Sequence, residues 1–127
     1  MQGSYSFEYS VIRVVPRGER EEFLNVGVIL YCPGQKFLQT LFTLDEERLH
    51  VFCANLDMAE LREHLEAFEQ ISKGGTGSGP IGKLDMASRF RWLTATRSSV
   101  VQVSKVHPGL CEDAHATLVK LHGRLVL

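Results

Sequence analysis

The chain has 127 residues, 44% of them hydrophobic and 23% charged, with a formal net charge of −1. That is the size of one domain able to bury a core of its own, and the near-neutral total excludes a global attraction to nucleic acid or to an anionic membrane. Three widely spaced cysteines argue against a disulfide framework and for a reducing compartment.

Tyr5 to Pro16, YSFEYSVIRVVP, alternates Tyr5, Phe7, Tyr9 and Val11 with Ser6, Glu8 and Ser10, the period of a strand. The alternation blurs from Val11 to Val15, which implies a bulge or an end buried on both faces. After the charged connection RGEREE, Leu24 to Cys32 reads as a second strand with Leu24, Val26, Val28 and Leu30 on one face. Gly27 inside it marks a bulge or a close backbone approach. Pro33-Gly34-Gln35 is a turn signal, and Lys36 to Thr43 is the third strand of an antiparallel meander.

The period then changes. Asp45 to Ala54 reads as a short helix with Leu49, Phe52 and Cys53 inward. Asp57 and Glu60 fit a capping box ahead of Met58, Leu61, Leu65 and Phe68, an amphipathic stripe ended by Gly74-Gly75. Residues 73–82 form a flexible Gly/Ser loop by composition. Asp85 to Thr94 reads as a further short helix and Ser99 to Val106 as a fourth strand, broken by His107-Pro108-Gly109. Cys111 to Val126 closes the chain as a helix with Ala114, Leu118, Leu121 and Leu125 inward. The expected fold is a single α+β domain over residues 1–127: a largely antiparallel sheet of about four strands in the order β-β-β-α-α-β-α, helices packed on one face. No apolar run approaches the ~20 residues of a membrane span. MQGSYSFEYSV lacks a signal-peptide pattern, so a cytoplasmic protein is expected.

Candidate chemistry starts with the loop. GSGPIGKL at 77–84 fits most of the phosphate-cradle pattern G-x-x-x-x-G-K-[ST]. The lead-in reads as a helix rather than a strand, Leu84 takes the place of the metal-binding hydroxyl, and Pro80 removes a backbone donor. The segment is therefore read as a linker, with no cofactor. His107, Cys111 and His115 recur at spacings of four, but Pro108-Gly109 puts His107 outside the helix and leaves two ligands, too few for a zinc site. A buried thiol with surface histidines is the reading adopted.

Charge is divided along the chain. Up to Ser72 there are six Lys+Arg against twelve Asp+Glu, and from Lys73 onward eight against three. The positive half holds Arg89-Phe90-Arg91-Trp92, in which Phe90 and Leu93 turn inward and the arginines are solvated. It also holds Arg97, Ser98, Ser99, Gln102 and His107 around the fourth strand, an arrangement suited to an anion or a peptide. The plainer reading is that these polar groups tie down sheet ends through backbone hydrogen bonds. Glu19, Asn25 and Gly27 are assigned structural roles: Glu19 to pair with an arginine, Asn25 to bond the neighbouring turn.

The stretches YSVIRVVPRGEREEFLNVGVILY and RFRWLTATRSSVVQVSKVHPGL resemble the bacterial family catalogued as Domain of Unknown Function 3037, over nearly the whole chain. One block comprises Glu19 and Asn25 to Val28. The other comprises Phe90, Trp92, Leu93, Arg97, Ser98, Ser99, Gln102, His107 and Gly109. Gly79-Pro80-Ile81-Gly82 is similar to actinobacterial members, a further argument against a nucleotide cradle. The resemblance supplies no catalytic residue. It implies an association with HipA-like kinases, which are encoded beside members of the family.

The leading expectation is a small cytoplasmic module without catalysis of its own that binds a protein partner, such as a HipA-like kinase, and no membrane. Its contact residues are taken as Arg91, Trp92, Arg97, Ser98, Ser99, Gln102 and His107. The competing expectation is a phosphate- or nucleic-acid-directed enzyme or processing factor using Arg91, Arg97 and His107. The basic patch is small for nucleic acid and no RNA- or DNA-binding signature accompanies it.

Overall fold

The structure is a computed structural model that describes residues 4–16, 20–95 and 99–127. Three strands open the fold as an antiparallel meander: β1 (Tyr5–Val14), β2 (Leu24–Cys32) and β3 (Phe37–Phe42). Helices α1 (Glu46–Phe52) and α2 (Met58–Lys73) follow, then a helical turn α3 (Gly79–Gly82) and helix α4 (Met86–Leu93). Strands β4 (Val101–Val103) and β5 (His107–Cys111) precede the closing helix α5 (Ala114–Leu125). Among the described residues the sheet has five strands in the order β3-β2-β1-β4, with β5 also on β1. The α+β class and the antiparallel sheet agree with the sequence expectation.

Two details of that expectation are corrected. His107-Pro108-Gly109 does not break the edge; it is the start of β5. β4 pairs with Ile12 to Val14 and β5 with Tyr5 to Tyr9, so both occupy the same side of β1. Between them the chain is stitched to β1: Val11 N–H donates to Ser104 Oγ at 2.8 Å, Ser104 N–H to Val11 O at 2.8 Å, and Ser10 Oγ to Ser104 O at 3.0 Å. Secondly, the helices do not gather on one face. Ile12, Val14, Ile29 and Leu38 pack with Leu49 of α1, Leu61, Leu65 and Phe68 of α2, and Phe90 and Leu93 of α4. Phe7, Val28, Leu30 and Cys32 pack on the opposite face with Ala114 and Leu118 of α5. Each fully buried aliphatic side chain here contributes about 1.5–3 kcal/mol relative to exposure, and the alternation of β2 feeds both cores.

A bulge explains where β2 departs from the expected pattern. Ile12 pairs with Gly27 but Arg13 pairs with Asn25, so Val26 has no opposite residue. Val28 and Leu30 face α5, whereas Val26 and Leu24 are turned to the α2 side; the four do not share a face. Gly27 serves the bulge and also a close approach, since a Cβ there would lie 2.9 Å from Phe42 Cβ and 3.0 Å from Leu41 O.

Each longer helix begins at an aspartate whose carboxylate accepts an otherwise unpaired backbone N–H: Asp45 from Arg48, Asp57 from Glu60, Asp85 from Ser88 and Asp113 from Ala116. The bonds from Ser88 hold the Asp85 carboxyl below its ordinary range. α5 therefore starts at Ala114, and Cys111 belongs to β5. Gln35 locks that junction, donating to Glu112 O at 2.7 Å and accepting from Ala114 N–H at 2.8 Å.

Arg89 is buried, not solvated. Its Nη1 donates to Ile71 O at 3.0 Å and Ser72 O at 2.7 Å, and its Nε to Leu84 O at 3.0 Å. The carbonyls at the end of α2 lack helical partners, and this guanidinium supplies them while pinning both ends of the glycine segment. Gly74, Gly75 and Gly79 in that segment have φ of 75°, 94° and 73°, the left-handed region. Helix α2 leads into the segment where a phosphate cradle requires a strand. Among the described residues no helix is long and apolar enough to cross a membrane.

Candidate binding site on the open half of the sheet

Helix α5 lies over β2 and β3. Phe7, Val11 and Cys111 are buried, but other α5-side residues of β1, β4 and β5 are only partly covered: Tyr9, Arg13, Gln102 and His107 are half-buried. Strand register sets three polar side chains in one row. Arg13 is opposite Asn25 on β2 and opposite Gln102 on β4, and directly opposed residues share a face with Cβ atoms about 5 Å apart. The row exists because of the bulge; without the extra residue at Val26, Asn25 would point into the α2 core.

Each member is held by a specific contact. Asn25 Nδ2 donates to Leu125 O at 3.1 Å, so the side chain expected to bond a neighbouring turn reaches the last turn of α5 instead. Arg13 lays its guanidinium over Phe23, 4.0 Å from the ring centroid, a cation–π contact. Gln102 Nε2 donates to Ser99 O at 2.9 Å, and Ser99 Oγ to Val101 O at 2.5 Å; these polar groups do tie down the start of β4. Two buried atoms of the row have no hydrogen-bond partner among the described residues, Arg13 Nε and Asn25 Oδ1. Asn25 also lines a cleft of about 270 Å³ with Thr43, Asp45, Arg48, Leu49 and Val126.

His107 sits further along the same face with its ring packed at a tilt of 31° against Tyr9, centroids 5.1 Å apart. Gly109 lies opposite Phe7. A Cβ at Gly109 would meet Phe7 Cζ at 2.5 Å, so the glycine is the floor on which that ring rests. The His-x-Gly pair thus serves the sheet through two aromatic neighbours on β1.

The remaining sequence candidates are dispersed. Arg91 and Trp92 are exposed on α4, on the opposite side of the sheet from His107; Arg91 lines a cleft with Glu8, Tyr31, Phe90 and Val106. Glu19, Arg97 and Ser98 lie outside the described residues. Gln102, Ser99 and Asn25 are brought into one neighbourhood, and the member that sequence reading passed over is Arg13. Its signal was a lone cation inside V-I-R-V-V, in phase with Tyr9 and Val11.

Of the histidines expected at the surface, His122 is buried and shares a 2.9 Å hydrogen bond with Thr43 Oγ1; burial pushes its pKa below the ordinary value. Cys32 and Cys111 are buried and Cys53 half-buried, all free thiols. Burial, and then the neighbouring Cys32 thiol, push the Cys111 thiol up. Among the described residues no group of three or more His, Cys, Asp or Glu is placed to hold a metal ion.

Arginine and the two amides of the row can orient and bind; none is a nucleophile or a general base at neutral pH. Fold and site together define an α+β domain with a row of polar side chains beside its last helix. The profile of the family described as Protein of unknown function (DUF3037) matches residues 9–126, and the chain belongs to that family. No curated protein and no solved structure matches the chain.

Proposed function

We propose that the chain is a non-catalytic protein-binding or accessory module whose partner docks on the open half of the α5 face, across Arg13, Asn25 and Gln102. The observation that carries this reading is a partly exposed row with no nucleophile, in which Arg13 lies over the exposed ring of Phe23 and stands opposite Asn25 and Gln102. Half-buried arginine stacked on an aromatic ring is a frequent anchor in protein interfaces. A competing phosphate- or nucleic-acid-directed activity needs Arg91 and His107 to act together, and they lie on opposite faces of the sheet.

A HipA-like kinase is the first partner to test. Titration calorimetry of the purified pair is expected to show binding that Arg13→Glu weakens by at least about 2 kcal/mol, roughly 30-fold, with the circular dichroism unchanged. Binding unaffected by that reversal in a folded variant, or substrate turnover that His107→Ala abolishes, would refute the reading.

A further inference from the structure

We infer that the partner presents an acidic segment to this face, its Asp or Glu carboxylates meeting Arg13 on the sheet and Lys120 and Arg124 on helix α5; the inference rests on the protein-binding reading above. The contacts of α5 fix which of its sides looks onto the open strands. His115 sets its ring edge-on to Phe37 of β3, centroids 6.4 Å apart, and His122 shares its hydrogen bond with Thr43 just after β3. Thr117 and Arg124 each follow one of those histidines by two residues, about 200° further round the helix. They therefore lie on the opposite flank, the one turned toward β1. The Thr117 hydroxyl accordingly stands beside the Cys111 thiol of β5. Lys120, at spacings of three and four from Thr117 and Arg124, shares that side. Both cations are exposed.

Arg13 belongs to the same corner between helix and sheet. It stands across the ladder from Asn25, and the Asn25 amide reaches Leu125 O, the residue after Arg124. Its Nε is buried, but its terminal Nη groups make no hydrogen bond among the described residues and are the part of the fork that solvent reaches. No carboxylate of the described residues lies within ion-pair distance of Arg13, Lys120 or Arg124. The half-buried residues of the open face include no acid, and Glu8 lines a cleft with Tyr31 and Phe90 on the other face. Asp113, at the start of α5, spends its carboxylate on Ala116 N–H. Uncompensated cations gathered in one corner attract carboxylates and give an arginine fork its preferred partner. The positive strip from Lys120 to Arg124 is about one helical turn long, and Glu112 and Asp113 close its far end. That length suits a short acidic segment; a nucleic-acid backbone, charged at every residue, calls for a longer run of cations.

The test is fluorescence anisotropy of labelled oligoglutamate titrated with the full chain at low ionic strength. Saturable binding that weakens as salt is raised is expected, with oligoglutamine inert and an oligothymidylate of equal charge bound more weakly. The double variant Lys120→Gln, Arg124→Gln changes two exposed helix positions and should weaken oligoglutamate roughly tenfold; its melting temperature establishes that it folds. Arg91→Gln, on the far side of the sheet, should leave the binding unchanged. Equal binding by the double variant, an equal loss in Arg91→Gln, or tighter binding of oligothymidylate would each overturn the inference. A protein partner that Arg13→Glu releases but that binds the double variant as it binds the wild type would overturn it too, while leaving the protein-binding reading standing.

Discussion

Gly109→Ala tests the packing logic of the edge strand. The backbone at Gly109 needs no left-handed conformation, so any cost is steric. A new Cβ would sit 2.5 Å from Phe7 Cζ and 2.7 Å from Phe7 Cε2, where ordinary contact begins near 3.4 Å. The ring must retreat by roughly 1 Å or leave its rotamer, which costs about 0.5–1.5 kcal/mol, and Phe7 is buried among Cys32, Ala114 and Leu118, so there is little room to retreat. Overpacking of this kind costs about 1–3 kcal/mol in total. Against that, replacing glycine in a strand stabilises by about 0.4–1 kcal/mol through the unfolded chain. A net loss of about 1–2 kcal/mol is expected, a fall in melting temperature of roughly 3–8 °C for a chain of this size. Urea unfolding of Gly109→Ala, Phe7→Leu and the double variant isolates the contact. With leucine at position 7 the branched side chain clears the new methyl, and Gly109→Ala should then be neutral or stabilising. The same cost in both backgrounds would refute the claim that Gly109 is there for Phe7.

Two further outcomes follow from the buried titratable groups. The folded-state pKa of His122 is lowered by burial, so folding favours the neutral ring; stability present above the unfolded value of about 6.5 is lost as pH falls through the lowered folded value. Unfolding free energy measured from about pH 7.5 to about pH 5 should decline, and His122→Gln should flatten that decline; an equal slope in the variant would exclude His122 as its source. With iodoacetamide at mildly alkaline pH, half-buried Cys53 should be modified first and Cys111, buried and held protonated, last; peptide mapping that finds Cys111 first would contradict its placement against Cys32.

What the sequence made legible is what local physics decides. The period-two run of β1, the stripe Leu61-Leu65-Phe68 and the aspartates that open the helices are readable within a turn or two of chain. Gly27 was readable as an interruption because a strand has few other uses for glycine. The illegible parts depend on residues far apart in sequence. His107-Pro108-Gly109 has the composition of a turn, yet Phe7 and Tyr9, about a hundred residues earlier, make it a strand. Arg89 looks like a surface cation until the end of α2 is placed against it. Arg13 was passed over because its significance lies in its register with Asn25 and Gln102, and that register is set by one unpaired residue. Arg91 and Trp92 attracted notice as interleaved cations and aromatics, but helix α4 carries them to the far side of the sheet from His107.

The jointed edge formed by β4 and β5 has a consequence for how the molecule behaves in a crowd. An unbroken outer strand offers neighbouring chains a continuous row of main-chain donors and acceptors on which fibrils and mispaired oligomers grow. Here that row is interrupted at Ser104 to Val106, and Pro108 has no amide hydrogen to offer an incoming strand. The β4–β5 edge therefore resists templating copies of the chain.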